Sequence, residues 1–545
     1  MDIAKIKQKI DGGEIEYVKI GSPDIEGVFR GKRVAAKHFL NSLEDGFAQC
    51  DVLFGWDIAE NVLPNLKVSN WERGFADIVM RPDLSTFMME PWEEKVASCI
   101  CDLWTEHGEP VTVSPRYLMS QVMERARSMG YEPMAASELE FRFFRENMFS
   151  LREKDFGPNL TPLNPGMNCY AISQASADDH LLGRIANMMR DHGVEMEGYN
   201  REHGPGMYEM NIHYANVLSA CDYTMLFKTG VKEICHQMGL TASFMAKWND
   251  QEDGSSGHSH MSLWARNKEH NVFWDEEAEG HMSTTMRQFL AGVLDKLPEL
   301  MVLYAPVINS YKRYVEGTWA PLNTTWGMDN RTCSIRVINN GRRAIRIENR
   351  VPGADANFYL VFAATLASGL YGIEQKLELP ARLDGNAYDA ATVARALEKG
   401  HIRSLSRNLT EATDLFEKSE FAREYLGNDF VDHYTATRRW EVKEYEKAVT
   451  NWDRRRYLEL ILAGLPACLY CSILSILPRS SHALRGSSVP VASPPRPSNT
   501  GGVARPGAVS LYNAADCHAL VRPSCASPQK DRRAFPVPAA RCAHL

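Results

Sequence analysis

The residues best suited to chemistry lie in four strand-like segments, where polar side chains recur at every second position. In SELEFRFF, Glu138 and Glu140 point to one face of a strand and apolar residues point to the other. The other three segments place similar sets on one face: Glu209, Asn211 and His213; His258, His260 and Ser262; and Arg346, Glu348 and Arg350. Any one of these segments is typical of a half-buried strand with one solvent-exposed face. Together they predict a shared site.

These residue types favour a site for divalent cations and a polyanion. Carboxylates combined with histidine suit hard cations such as Mg²⁺ or Mn²⁺ better than zinc. Arginine grips phosphate and carboxylate groups through paired hydrogen bonds. Phosphoryl transfer requires this combination, because its catalysis consists largely of positioning and charge neutralisation.

The sequence patterns around these residues predict a mixed α/β chain. Residues 1–108 contain short strand-like runs and are predicted to form a small N-terminal domain. A helix should follow, with Ser114 as N-cap, Pro115 at its first position and Gly130 as its end. Strands then alternate with long helices, including an apolar helix from about Asp355. We therefore predict a catalytic domain over residues 109–462.

The chain changes character near residue 463. Residues 463–545 hold 11 of the 27 prolines and five of the twelve cysteines, and their charged residues are mostly arginine. The segment lacks helical or strand periodicity, which predicts disorder. Its composition resembles GC-rich DNA translated in an unselected frame, so we interpret it as a frameshift or read-through tail. A functional disordered tail is the alternative.

Composition excludes several classes of protein. The net charge of −8 argues against nucleic acid as the main partner, which would require a basic face. The N-terminus has no apolar signal core, and no run of 18 apolar residues predicts a membrane span. The cysteines before residue 463 lack zinc-site spacing, so free thiols in a reducing cytoplasm are expected.

The ordered motifs of residues 1–462, most closely those of 114–380, resemble the glutamine synthetase family. They are SELEF, NREHGPGMYEMN, GSSGHSHMSLW, NSYKR…AP…WGMDNRTCSIRV and RIENRVPGADANFYL. The resemblance implies an α+β fold, with a β-grasp-like N-terminal domain and a catalytic α/β domain built on a curved antiparallel sheet. It also implies a ring-shaped homo-oligomer with active sites between subunits, ATP as co-substrate, and at least two Mg²⁺ or Mn²⁺ ions per site.

The resemblance also assigns roles to individual positions. It implies one metal held by Glu138, His258 and Glu348, and a second held by Glu140, Glu202 and Glu209. It implies that the transferring phosphoryl group is neutralised by Arg331, Arg336 and Arg350. Substrate contacts are implied for Arg313, Gly254 and, from the neighbouring subunit, Asp57, and nucleotide contacts for His260 and Ser262. Asp57 could equally be an ordinary loop residue. Asp253 stands where many members have Asn, which would alter a hydrogen bond to the acceptor amino acid.

One position departs from the ammonia-using members. In YKRYVEGTWAP, Trp319 occupies the place of a flap glutamate that shapes the ammonium site and removes a proton from the nucleophile. Losing that anion weakens a site for NH₄⁺, whereas an indole offers apolar area and a face for cation–π contact. The sequence thus resembles the branch that joins glutamate to organic amines.

Three alternatives to an amine ligase remain open at this point. Trp319 could pack beneath the flap in an enzyme that uses ammonia. Glu316, three residues earlier, could replace the missing acid. A non-catalytic binding or structural relative is a further possibility, but such proteins usually lose metal ligands, and here all six ligand positions are filled.

Overall fold

Two β-sheets organise the part of the chain that the computed structural model describes, residues 2–398 and 402–458. The first sheet contains β1 (Tyr17–Pro23), β2 (Phe29–Ala35), β3 (Phe47–Cys50), β4 (Asp77–Pro82), β5 (Met88–Met89) and β6 (Val96–Trp104). The second contains β7 (Tyr131–Phe144), β8 (Met196–Arg201), β9 (Met207–Ile212), β10 (Ala215–Asn216), β11 (Thr241–Ser243), β12 (Gly257–Ala265), β13 (Trp326–Met328), β14 (Ile335–Ile338) and β15 (Arg346–Asn349).

Helices surround both sheets. Those up to the end of β9 are α1 (Ile3–Asp11), α2 (Ala36–Asn41), α3 (Pro115–Ser128), α4 (Met148–Glu153), α5 (Ile172–Ala177) and α6 (Asp179–Asp191). The later ones are α7 (Val217–Gln237), α8 (Thr284–Tyr304), α9 (Phe358–Glu374), α10 (Ala390–Glu398), α11 (Leu409–Glu417), α12 (Glu420–Leu426), α13 (Asn428–Glu446) and α14 (Asn451–Tyr457). No helix of the described residues has the length and apolar character needed to cross a membrane.

The long strand β7 is the centre of the second sheet, whose order is β13-β14-β15-β12-β7-β9-β8. All neighbours in this order pair antiparallel except β13 and β14, which are parallel. The register sets Glu138 opposite both His258 and Asn211, and Glu140 opposite Glu209. The sheet alone therefore brings polar residues that are far apart in sequence onto one surface.

The opposite face of β7 supplies the core. Leu139, Phe141 and Phe143 are fully buried, so the strand has one apolar and one polar face, as the alternation predicted. Behind the sheet, α8 and α9 cross closely. A Cβ on Gly292 would lie only 2.1 Å from the Ser368 carbonyl oxygen, so this crossing requires glycine.

The first sheet combines a parallel pair, β1 with β6, with antiparallel neighbours in the order β2-β1-β6-β4-β3. Mixed α and β structure is thus confirmed, whereas the β-grasp character of this sheet stays a prediction. So does the domain boundary at residue 108, because residues 2–458 form one compact unit. The predicted tail, 463–545, lies outside the described residues.

A buried arginine joins the first sheet to helix α7. Arg116, near the start of α3, donates to Asp83 and Asp102 from the first sheet's region and to Asp222 of α7. Asp222 also accepts a hydrogen bond from the Tyr359 hydroxyl of α9. Arg116 and Asp222 are both nearly inaccessible to water. Their charges therefore depend on one another, since neither can be solvated.

Replacing Arg116 with Met should reduce the free energy of unfolding by about 3–5 kcal/mol, because the substitution leaves a buried carboxylate without its counter-charge. The matched control is Arg190→Met, which removes an exposed arginine paired with Asp191 and should change stability by less than about 0.5 kcal/mol. Urea unfolding followed by tryptophan fluorescence measures both. Equal unfolding midpoints for the two variants would contradict the conclusion that the buried ion pairs of Arg116 stabilise the fold.

Candidate active site

Glu138 on β7 contacts two histidines of β12. Its carboxylate oxygens lie 2.8 Å from Nδ1 of His258 and 3.3 Å from Nε2 of His260. Burial favours the neutral acid, but the two histidine contacts hold the pKa of Glu138 well below its usual range. The anion of Glu138 is therefore the stable form at neutral pH.

Glu348 on β15 completes this cluster. Its carboxylate lies 3.5 Å from Nδ1 of His258 and accepts hydrogen bonds from Arg336 (2.8 Å) and Arg350. Although it is buried, Arg350 and the histidines lower the pKa of Glu348 to about 2. Ligand atoms of Glu138, His260 and Glu348 come within 4.8 Å of one another. The structure thus adds His260 to the ligands predicted for this site.

Three further carboxylates form a second cluster, and they repel one another. Burial and the neighbouring Glu140 raise the pKa of Glu202 to about 7. Burial together with Glu138, Glu140 and Glu202 raises the pKa of Glu209 to about 10. Glu140 accepts a 2.6 Å hydrogen bond from the backbone N–H of Ser256. The cluster lacks enough positive charge of its own, which is the condition under which a cation binds.

Both clusters fit divalent cations. The first cluster combines carboxylate oxygens with imidazole and the second supplies carboxylate oxygens alone, and both donor sets suit Mg²⁺ or Mn²⁺. Nε2 of His258 is buried without a hydrogen-bond partner among the described residues. All six predicted ligands therefore lie in the two clusters, with His258 and Glu348 on the Glu138 side and Glu202 and Glu209 on the Glu140 side.

A cavity of about 350 Å³ opens beside the first cluster. His260 and Ser262, predicted to contact a nucleotide, line it together with Glu138. Its other walls include Tyr214, Trp264, Arg343, Ile345 and Arg346. Aromatic faces beside arginines and the first cluster could hold a purine ring and its phosphates.

Arg346 is a site residue to which the sequence prediction gave no individual role. Its Nε donates to Nδ1 of His260 over 3.2 Å, and it lines the cavity. Its alternation with Glu348 and Arg350 was the available signal, because residues at i and i+2 of a strand share a face. The prediction assigned individual roles only to the other two members of that pattern.

Arg313 and Gly254 meet behind the second cluster. The buried guanidinium of Arg313 donates to the carbonyls of Val351 and Arg350 and to the Ser256 hydroxyl, at 2.9–3.1 Å. A Cβ on Gly254 would stand 2.7 Å from Cγ of Arg313 and 2.6 Å from the Ala246 carbonyl oxygen. Only glycine therefore lets this loop lie against the arginine. A role for either residue in substrate binding stays a prediction.

Two loops of the site are tied together through Asp253. Its carboxylate lies 2.6 Å from Nδ1 of His203, the residue after Glu202. Arg142 reinforces the contact by donating to the carbonyls of Pro205 and Asp253, both at 2.8 Å. Asp253 thus connects the loop that carries Glu202 with the loop that carries Gly254.

The arginines of the 329–336 segment differ in their surroundings. Arg336 bridges Glu348 and Asp329, whereas Arg331 is exposed in the turn before it. Tyr170 is largely exposed, but partial desolvation of its phenol and the nearby Glu202 raise its pKa to about 12, against the opposing effect of Arg331. Tyr170 therefore lies near the second cluster, a placement that no pattern in the sequence indicated.

Trp319 lies in the flap, defined here as residues 314–321. Its side chain is 57% exposed, and its φ of 62° falls in the left-handed region that bulky residues rarely adopt. Glu316 is also exposed. The indole is thus not packed beneath the flap.

Asp57 makes contacts within its own chain. Its carboxylate accepts hydrogen bonds from the backbone N–H groups of Ala59 and Asn61 and from the indole of Trp440, each at 2.9 Å. These contacts fix the 57–61 turn. A role for Asp57 in a neighbouring subunit's site stays a prediction.

Carboxylate clusters, several arginines and an adjoining cavity suit the transfer of a phosphoryl group from a nucleotide. Residues 112–457 match the family described as glutamine synthetase, catalytic domain. The chain belongs to the glutamine synthetase family. Members of this family depend on ATP and divalent metal ions in general, which agrees with the two clusters and the cavity.

Several relatives share this family. Over 460 residues the chain is 41% identical to a glutamate–isopropylamine ligase from Pseudomonas sp., covering 84% of this chain and 98% of the relative. It is also 41% identical to type-1 glutamine synthetase 2 of Dictyostelium discoideum, covering 82% and 84%. It is 39% identical to gamma-glutamylethanolamide synthetase GlnA4 of Streptomyces coelicolor, covering 84% and 96%.

Among solved structures, the chain resembles one titled GmaS/ADP complex, conformation 1. The TM-score is 0.71 at 28% identity, and the match covers 84% of this chain and 99% of the other. The glutamine synthetase catalytic fold predicted from the motifs is therefore confirmed.

Removing one carboxylate of the second cluster should weaken metal binding. We expect Glu209→Gln to reduce Mn²⁺ affinity roughly ten- to hundredfold in calorimetric titration, because the cluster loses a carboxyl group that would ionise when a cation binds. Glu233→Gln is the matched control. Glu233 belongs to another acidic group, with Glu90 and Glu93, but Lys19 already neutralises it from 2.7 Å. Equal loss of affinity in both variants would contradict the assignment of the metal site.

Adding one methyl group at Gly254 should displace Arg313. We expect Gly254→Ala to raise the KM for glutamate, the substrate that the family implies, roughly ten- to hundredfold, with a much smaller change in the KM for ATP. Gly198→Ala is the control, since a Cβ there meets nothing within 4 Å. Steady-state ADP release measures both constants. An unchanged KM for glutamate would rule out the role of this contact.

Proposed function

We propose that this chain is an ATP-dependent ligase that joins the γ-carboxylate of glutamate to an organic amine. The relatives include ligases named for isopropylamine and for an ethanolamide product, and two carboxylate clusters with adjoining arginines support phosphoryl transfer. The observation that carries the choice of an amine is the exposed indole of Trp319 in the flap.

The reaction begins with phosphorylation of glutamate. The γ-carboxylate attacks the γ-phosphorus of ATP, the bond to the bridging oxygen of ADP breaks, and γ-glutamyl phosphate and ADP form. Arg350, Arg336 and the exposed Arg331 stabilise the negative charge that these groups bring together, while Arg313 binds the α-carboxylate of glutamate. Mg²⁺ or Mn²⁺, held as two or more ions by the two carboxylate clusters, would screen ATP and the acceptor from each other.

The neutral amine then attacks the acyl carbon, the bond from that carbon to the phosphate oxygen breaks, and the nitrogen releases a proton to solvent as the amide forms. An indole on the flap favours a nucleophile with a hydrocarbon or aromatic body, because it supplies apolar contact area and a cation–π surface. Ammonium finds no such compensation there, since it is small and strongly hydrated. The identity of Trp319 should therefore decide which nucleophiles compete successfully.

Glutamine synthesis from ammonia is the second candidate. Type-1 glutamine synthetase 2 of Dictyostelium discoideum and the isopropylamine ligase are equally similar to this chain, so identity alone does not separate the two activities. Exposed Glu316, which lies within the flap, could supply an acid there. A non-catalytic role is disfavoured, because all six metal-ligand positions are filled and brought together.

Assembly and location belong to the same proposal. A ring-shaped homo-oligomer in the cytoplasm would place Asp57 of one subunit near the active site of another. The exposed Tyr170 and Trp319 would then lie on a face that the neighbouring subunit helps to close. Glutamate, ATP and the amine are the small-molecule partners.

Restoring an acid to the flap should redirect the enzyme towards ammonia. We expect Trp319→Glu to raise the ratio of kcat/KM for ammonia to that for isopropylamine at least about tenfold, a change of about 1.4 kcal/mol in relative transition-state binding. ADP release and mass spectrometry of the amide products, with ammonia, isopropylamine, ethanolamine, putrescine and aniline, measure the ratio.

The matched control is Trp452→Glu, which introduces the same charge at an exposed tryptophan of α14. It should leave the ratio unchanged. Wild-type preference for ammonia over every amine would favour the second candidate. An unchanged ratio in Trp319→Glu would show that the flap residue does not select the nucleophile.

A further inference from the structure

A tyrosine outside the predicted site contacts the flap. The hydroxyl of Tyr388 donates a 2.9 Å hydrogen bond to the carbonyl oxygen of Ala320, the residue that follows Trp319. Ala320 is buried, whereas Trp319 beside it is exposed. Burial raises the pKa of Tyr388 to about 12, against the opposing effects of Arg350 and Arg313. The phenol is therefore protonated and available as a donor at neutral pH.

The loop that carries Tyr388, residues 383–388, is anchored on the segment that carries Arg331. The backbone N–H of Leu383 donates to the Trp326 carbonyl over 2.9 Å. The Asn330 side chain donates to the Gly385 carbonyl over 2.8 Å, and the Ala387 N–H donates to the Thr332 hydroxyl over 2.9 Å. Arg331 lies between two of these anchors. Tyr388 thus connects the arginine segment with the flap.

The flap needs such a connection at Trp319. A bulky residue with a φ of 62° is held in a sparsely populated conformation, which persists only where the surroundings restrain it. Before this position, the Thr318 hydroxyl donates to the Val315 carbonyl over 2.7 Å. The Tyr388 hydrogen bond restrains the chain immediately after it.

We propose that Tyr388 is a positioning residue for the second half-reaction, holding the Trp319 turn where it meets the amine. The inference rests on the proposed function, because it concerns the step in which the amine attacks γ-glutamyl phosphate. Tyr388 contacts the flap backbone and acts through Trp319. It takes no part in phosphoryl transfer itself.

A loosened turn should admit water in place of the amine. Water oxygen then attacks the acyl carbon, the bond from that carbon to the phosphate oxygen breaks, and glutamate and inorganic phosphate form with release of a proton. ATP is consumed in this side reaction without formation of an amide. The ratio of amide formed to ADP released therefore reports how well the turn is held.

The test compares Tyr388→Phe with wild type, using isopropylamine as the probe. The variant should raise the KM for the amine about five- to tenfold, as expected for the loss of one hydrogen bond, and lower the ratio of amide to ADP. The KM values for ATP and glutamate should stay close to those of wild type. Tyr17→Phe, which removes the hydroxyl of an exposed tyrosine on β1, should match wild type throughout.

A double-mutant cycle separates positioning through Trp319 from a general structural effect. In a Trp319→Ala background, Tyr388→Phe should produce little further change in the amine KM, because the side chain being positioned is gone. Additive effects in the cycle would overturn the proposal, and so would a wild-type KM and product ratio in the single variant. Absence of amide from every amine in the wild-type enzyme would instead refute the proposed function.

Discussion

Electrostatic repulsion among carboxylates is the constraint on which the rest of the structure depends. Glu138, Glu140 and Glu209 meet on the central sheet, with Glu202 and Glu348 beside them, and burial together with the neighbouring carboxylates raises the pKa values of Glu202 and Glu209. Such a cluster persists because the register fixes its backbone and burial of the opposite, apolar face of β7 in the core anchors the strand. The repulsion that weakens the site without ligands is what gives it affinity for cations.

The two substrate sides of the site are built differently. In the part of the site that would face ATP, strand pairing and salt bridges fix the side chains, such as the salt bridges from Arg336 and Arg350 to Glu348. In the proposed reaction, the nucleophile would meet the flap and the loop that carries Tyr170. Loops tolerate substitution better than paired strands. This difference explains how a family can keep its phosphoryl chemistry while its nucleophile changes.

Local pattern was sufficient to predict much of the site. Alternation at i and i+2 located β7, β12 and β15, and Ser114–Pro115 marked the start of α3, although the Ser114 side chain makes no capping bond there. The apolar helix predicted from about Asp355 begins at Phe358, because Asn357 provides the cap and Asp355 instead accepts a hydrogen bond from Ser310. Contacts between distant segments, such as His203 with Asp253, had no signal in a single sequence.

The most direct measurement follows an oxygen atom from glutamate to phosphate. Glutamate labelled with ¹⁸O in its γ-carboxylate is incubated with ATP, Mg²⁺ and isopropylamine, and the phosphate and amide are analysed by mass spectrometry. Activation as γ-glutamyl phosphate predicts one ¹⁸O atom in each phosphate released with an amide. Amide formation with unlabelled phosphate would contradict the account, because the carboxylate would then never have been bonded to phosphorus.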